Sequence, residues 1–305
     1  MIDHAVIELK HVFKQFGKRT AVHDLSLTVP AGEIYGLLGH NGAGKSTAIG
    51  MMLGQVWPTS GEVTLFGHDV TVHRSQALRK IGAIFEAPAF YDYLSGRRNL
   101  EILSSYTAPT SRHRIEEVVE WVGLSGRENS KVKTYSHGMR ARLALAQALL
   151  PNPEALILDE PGSGLDPEGI HEMRQTIQRL HRELGLTILL SSHLLHEVEQ
   201  LCTRIAVLNQ GHMVFEGTMA SIRERAQWVR LKVGDFPSAV STLRQAQLVS
   251  DARDGSLIAL NTGVGTDQIV RTLVQSGMPV YEIAPDQASL ESFYLSLMNG
   301  KREAN

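Results

Sequence analysis

Residues 39–47 read Gly-His-Asn-Gly-Ala-Gly-Lys-Ser-Thr, and no other stretch constrains the fold so tightly. The spacing G-x-x-x-x-G-K-[ST] is that of a phosphate-binding P-loop. Gly39, Gly42 and Gly44, with Asn41 between them, let the backbone curl so that successive N–H groups point inward. Such a nest, backed by the N-terminus of the following helix, holds an anion. Lys45 is placed to reach the β- and γ-phosphates of a nucleotide. Ser46 is placed to give its hydroxyl to Mg²⁺, and Thr47 to contact the α-phosphate region. The flanks agree with this. Glu33-Ile-Tyr-Gly-Leu-Leu reads as a buried strand, and Ala48-Ile-Gly-Met-Met-Leu reads as a helix.

The chain of 305 residues can bury one large or two ordinary cores. Its 43% hydrophobic and 20% charged residues are ordinary for a globular protein. A net charge of −2 offers no basic surplus for nucleic acid. No apolar run approaches the roughly 20 residues that span a bilayer. Met1-Ile-Asp-His has neither the basic nor the apolar part of a signal peptide. The single cysteine, Cys202, rules out an internal disulfide and reads as a small core residue of a protein in a reducing compartment.

Alternating apolar and polar residues mark half-buried strands at Val6-Ile-Glu-Leu and Leu25-Ser-Leu-Thr-Val. Gly61-Glu-Val-Thr-Leu-Phe-Gly is another short strand. From about residue 93 to 150 the signal is helical; Ile115, Val118, Val119 and Val122 recur with the 3.6-residue period. Ala155-Leu-Ile-Leu and Leu186-Thr-Ile-Leu-Leu are short unbroken apolar runs, as expected of parallel strands buried on both faces. A helix is expected between them, over 167–184. A hairpin is expected to turn at Asn209-Gln-Gly. The strand-and-helix pattern restarts near Trp228, with strands at 228–233, 248–251, 256–260 and 280–283 and helices at 237–245 and 266–276. Leu290, Phe293, Tyr294 and Leu297 form an apolar stripe on a final helix. These signals define an α/β domain over 1–224, with a helical subdomain at about 87–150, and a small C-terminal α+β domain over 225–305.

A second group of residues belongs with the P-loop. The apolar run 155–158 ends in Asp159 and Glu160. A strand ending beside the P-loop would let Asp159 hold Mg²⁺ through its water shell and Glu160 act as general base on the attacking water. A third group is Tyr135-Ser-His-Gly-Met. Ser136 suits a helix N-cap, and Gly138 permits close backbone approach.

These groups, with Ser163-Gly-Leu-Asp166 and Ser191-Ser-His193, stand in the order and spacing of ATP-binding cassette (ABC) ATPases, which the chain resembles over residues 5–220. The resemblance implies a P-loop NTPase fold with an antiparallel β subdomain and a helical signature subdomain. It also implies ATP and Mg²⁺ as ligands. Tyr135–Met139 then resembles the signature sequence, in which Ser136 and Gly138 clamp the γ-phosphate held by another subunit's P-loop. Asp166 resembles the D-loop aspartate, and His193 the switch histidine that contacts the γ-phosphate. Phe16 sits where an aromatic ring stacks on adenine; an ordinary core aromatic is the alternative. The family arrangement is two cassettes head to tail around two ATP molecules. A chain with one P-loop therefore calls for a second copy of itself or another ABC ATPase, and for an integral membrane permease on a separate chain. That places it peripherally on the cytoplasmic face of the membrane.

Two positions depart from the commonest pattern. Glu86 stands where the Q-loop glutamine offers a neutral carbonyl to the metal and the water, and its charge should bind a cation more tightly. His137 replaces a signature glycine, and its side chain is expected to point away from the phosphate. The run Ile84-Phe-Glu-Ala-Pro-Ala-Phe-Tyr, with Leu94-Ser-Gly-Arg-Arg-Asn-Leu, resembles the bacitracin- and lantibiotic-type antibiotic export and immunity ATPases. Other drug, polysaccharide and ion exporters share much of it, and a soluble non-transport cassette is a further alternative.

Overall fold

Long apolar runs in this chain become strands where their backbone groups can pair, and the P-loop hangs from one of them. A computed structural model of the chain describes residues 5–85, 89–107, 110–224, 228–261, 263–285 and 290–299. Two compact units are formed by residues 1–217 and 218–305.

The first unit begins with β1 (Ala5–Phe16), β2 (Arg19–Pro30) and β3 (Ile34–Leu38), followed by α1 (Lys45–Met52). Then come β4 (Ser60–Leu65), β5 (His68–Asp69), α2 (Arg74–Ala77) and β6 (Ile81–Ile84). The helical segment holds α3 (Gly96–Thr107), α4 (Arg112–Trp121) and α5 (His137–Leu149). The unit closes with β7 (Ala155–Asp159), α6 (Pro167–Leu184), β8 (Thr187–Ser192), α7 (Leu195–Leu201), β9 (Arg204–Asn209) and β10 (His212–Thr218).

Six strands form a sheet in the order β10-β9-β3-β8-β7-β6. Within it β3, β6, β7, β8 and β9 run parallel. All residues of β3, β7 and β8 are buried, as their apolar runs require. A second sheet, β2-β1-β4-β5, is antiparallel. Helix α1 is enclosed by one core drawn from both sheets, including Ile7, Leu27, Leu65, Leu37 and Ile157. Hence Ile49, Met51 and Met52 on successive faces of α1 are all buried. Each such side chain contributes about 1.5–3 kcal/mol on leaving water. Helix α5 lies on β6 and contacts α4 and α6. Gly82 in β6 makes this possible, because a Cβ there would collide with the Ala148 carbonyl.

The β1–β2 hairpin is longer than its alternation suggests. His11 (φ 48°) and Asp24 (φ 50°) sit in the left-handed region, and the register shifts around Val12. These irregularities break the two-residue period, so only fragments at 6–9 and 25–29 read as strand. The helix over 167–184 is found at the expected bounds. Asp166 caps it, Pro167 fills its first turn, and Gly185 ends it with φ 66°.

The second unit contains α8 (Met219–Glu224), β11 (Trp228–Val233), α9 (Phe236–Gln245), β12 (Val249–Arg253), β13 (Leu257–Leu260), α10 (Thr266–Gln275), β14 (Val280–Pro285) and α11 (Leu290–Asn299). Its antiparallel sheet has the order β12-β13-β11-β14. From β11 to β14 this is the split βαβ, ferredoxin-like arrangement. Val229, Leu231 and Ile258 of the sheet form its core with Ala239 and Leu243 of α9 and Ile269 and Leu273 of α10. On α11, Leu290 is fully buried and Phe293, Tyr294 and Leu297 are half-buried.

Candidate nucleotide-binding site

The loop between β3 and α1 takes its shape from glycine. Gly44 has φ 106° and caps α1 without any side-chain bond. A Cβ on Gly44 would lie 2.7 Å from the Ala21 carbonyl oxygen. The first N–H groups of α1 are therefore left without a capping side chain, as anion binding requires. The Lys45 ammonium donates to the Gly39 carbonyl at 2.7 Å. Its side chain is only 5% exposed, and Nζ lies 3.3 Å from Oε1 of Glu160.

Strand β7 delivers the two carboxylates. Asp159 ends the strand and is buried. Glu160 follows with φ 49°, a left-handed conformation that costs a non-glycine residue roughly 1–2 kcal/mol. Its backbone N–H donates to Ser191 Oγ at 2.9 Å. The Ser191 hydroxyl donates to Asp159 Oδ1 at 2.5 Å. His193 Nδ1 donates to Glu160 Oε2 at 2.6 Å. One carboxylate thus joins the P-loop lysine to the histidine that follows β8.

A cavity of 290 Å³ brings Asn41, Gly42, Gly44, Lys45, Ser46 and Thr47 together with Glu160 and His193. Phe16, Ser136, Gly138, Asp159 and Asp166 are not among the residues that line it. A separate cavity of 440 Å³ puts His137 and Arg140 of α5 beside Asp159 and Glu160. His137 is exposed and does not line the P-loop cavity. Ser136 caps α5, accepting from the Met139 N–H at 3.2 Å. Asp166 caps α6, accepting from the Gly169 N–H at 3.0 Å. A Cβ on Gly138 would meet nothing closer than the Gly169 Cα, at 3.8 Å. Phe16 is not a core residue: it is 50% exposed, and the Lys14 ammonium sits 4.6 Å from its ring centre. Cys202 is buried, as expected. Glu86 lies outside the described residues.

Two residues at the site are given no role of their own by the sequence. Arg19, at the start of β2, lines the P-loop cavity; its sequence surroundings are an ordinary hairpin turn. Ser191 is fully buried. The Ser191-Ser-His193 motif marks its segment but not its task; a buried hydroxyl at the end of an apolar strand needs a partner.

A P-loop nest, an adjacent lysine and a carboxylate-ended strand define a nucleotide-binding P-loop protein. The ABC transporter family model matches residues 22–163. The uncharacterized ABC transporter ATP-binding protein YhcH of Bacillus subtilis (strain 168) is 39% identical, over 98% of this chain and 97% of its own. The bacitracin transport ATP-binding protein BcrA of Enterococcus faecalis is 38% identical, over 98% of both chains. Among solved structures, the dimeric post-hydrolysis state of the ATP-binding cassette MJ0796 bound to ADP and Pi matches with TM-score 0.63 and 25% identity, covering 70% of this chain and 98% of that one. The chain belongs to the ABC transporter family, as an ATP-binding, ATP-hydrolysing subunit.

Proposed function

We propose that this subunit powers export of an antibiotic or peptide through a separate integral membrane permease. In this reading it works as a head-to-tail dimer around two ATP molecules at the cytoplasmic face of the membrane. Residues 1–224 form the nucleotide-binding domain and 225–305 an accessory domain. The near full-length similarity to a bacitracin transport ATP-binding protein supports the substrate class. The observation that carries the mechanism is the make-up of the P-loop cavity, which holds Lys45, Glu160 and His193 but no residue of the Ser136–Gly138 helix cap. A nucleotide seated there has its open side free for the signature helix of a second copy.

Within one site, Gly42, Gly44 and the first N–H groups of α1 bind the phosphates, with Lys45 and Thr47 beside them. Phe16 offers an exposed ring face to adenine. Glu160 orients and deprotonates the attacking water. His193, held by Glu160, meets the γ-phosphate. Ser136 and Gly138 of the partner cover it, and Asp166 lies at the subunit boundary. The donors available for Mg²⁺ are hard oxygens, as that ion demands. They are the Ser46 hydroxyl and the Asp159 carboxylate, whose Oδ1 is already fixed by Ser191. Resemblance adds Glu86. The ion would neutralise charge developing on the phosphates.

Light scattering of Glu160→Gln tests the dimer. ATP should double the particle mass and ADP should not. A monomer at saturating ATP overturns the reading. Co-purification of an integral membrane protein with the wild-type chain tests the permease.

A further inference from the structure

We infer that Ser191 is a positioning residue that sets both acidic groups of the hydrolytic site at once. The placement follows from sheet register. Strands β7 and β8 are parallel, and Asp159 is the register partner of Ser191. Ser191 is fully buried, so its hydroxyl cannot turn to water for a partner. Its proton goes to Asp159 Oδ1 at 2.5 Å, and its oxygen accepts the Glu160 N–H at 2.9 Å. A hydroxyl is the smallest group able to donate and accept at one point.

The two bonds do different work. The first fixes the rotation of the Asp159 carboxylate, so Oδ2 keeps one direction. The second holds the peptide between Asp159 and Glu160 while Glu160 is in its left-handed conformation, φ 49°. That conformation aims the Glu160 side chain at Lys45 Nζ and His193 Nδ1. Without the acceptor, the part-buried N–H loses its partner and the backbone is free to relax to an extended φ, which turns the carboxylate away. Ser191 does not line the P-loop cavity, and acts through Asp159 and Glu160.

This inference rests on the proposed roles of Asp159 and Glu160, so Glu160→Gln is measured alongside. Three variants of Ser191 are compared: Ser191→Ala, and the isosteric pair Ser191→Thr and Ser191→Val, which differ only in the hydroxyl. The readouts are kcat, KM, the Mg²⁺ concentration for half-maximal turnover, and ATP affinity in EDTA. Ser191→Ala and Ser191→Val should lower kcat at least tenfold and raise the Mg²⁺ requirement several-fold. Their ATP affinity in EDTA should stay within about twofold of wild type, because the P-loop nest is untouched. Ser191→Thr should restore most of kcat. If Ser191→Ala does not fold, the Thr–Val difference still isolates the hydroxyl. Equal kcat and equal Mg²⁺ dependence in Thr and Val overturn the inference. Loss of ATP affinity in EDTA matching the loss in kcat also overturns it, because the role is then merely structural. An active Glu160→Gln would instead overturn the reading of the hydrolytic site on which the inference rests.

Discussion

Glu160 accepts a 2.6 Å hydrogen bond from His193 through Oε2, while Oε1 lies 3.3 Å from the Lys45 ammonium. A carboxylate can only accept, so the proton of this bond sits on Nδ1, and the bond leaves Nε2 of His193 unengaged. The two cationic or donor groups beside the P-loop are therefore organised by one side chain.

That organisation predicts a split between binding and turnover. Glu160→Gln keeps the size of the side chain but removes the base and its charge. Turnover should fall by about 10²–10⁴, the usual worth of a positioned general base. ATP affinity should hold or rise, because Lys45 loses a competing carboxylate. Phosphate release and equilibrium dialysis measure the two quantities separately. Turnover within tenfold of wild type would remove Glu160 from the role of base.

Gly82→Ala tests how α5 is seated. The added Cβ would run into the Ala148 carbonyl, which is backbone and cannot swing aside. The cost expected is about 1–3 kcal/mol, as for other overpacked sites. Thermal unfolding should drop by several degrees. ATP-driven dimerisation should weaken with it, because α5 carries the Ser136 cap. An unchanged melting temperature would show that β6 and α5 can separate at no cost.

The parts of this site that could be read in the sequence are contiguous. Gly39–Thr47 and the pair Asp159–Glu160 each combine their chemistry with its local structure, a loop after a strand or a strand end. The task of Ser191, unlike the motif it stands in, could not be read this way. Its task depends on β8 lying next to β7 with Ser191 opposite Asp159, a pairing across 32 residues of sequence. Arg19 was hidden because strand pairing, not a motif, carries it to the P-loop. The second unit was legible as elements, since its strands and helices keep clean periods. Its ferredoxin-like strand order was not, because antiparallel neighbours such as β11 and β14 have no local signature.

Alkaline pH should destabilise the first unit through two buried acids. Burial pushes the Cys202 thiol well above its ordinary value. Burial, and then the Glu216 carboxylate, push the Tyr35 phenol up; its hydroxyl donates to Glu216 at 2.7 Å. Both groups keep their protons in the folded chain at a pH where the unfolded chain releases them. Stability from these groups is thus complete below the unfolded thiol pKa of about 8.5. It declines above that pH, and more steeply above about 10, where free tyrosine titrates. The slope is at most about 1.4 kcal/mol per pH unit for each group. Urea unfolding from pH 7 to 11 should show the decline, and Cys202→Ala should flatten its first part. A flat profile in the wild type would contradict the burial of these two groups.

Arg19 should bind nucleotide through its charge. Among the described residues it makes no ion pair, yet its guanidinium reaches within 3.8 Å of a Cβ built on Gly42. An exposed cation over a phosphate loop gains little from neighbouring side chains and much from a triphosphate. Exposure keeps the gain modest, since water and salt screen it. Arg19→Ala should weaken ATP binding about three- to tenfold at low salt, equivalent to about 0.7–1.4 kcal/mol. The deficit should shrink as salt rises, because wild-type binding loses the screened attraction and the variant does not. AMP binding should change less than ATP binding, since the phosphates carry the effect. Arg19→Lys should recover most of the affinity, because at an exposed site a point charge serves nearly as well as a guanidinium. Fluorescence titrations with ATP and AMP at two salt concentrations separate these expectations. An equal loss for both nucleotides would mean that Arg19 shapes the hairpin turn instead of meeting the phosphates.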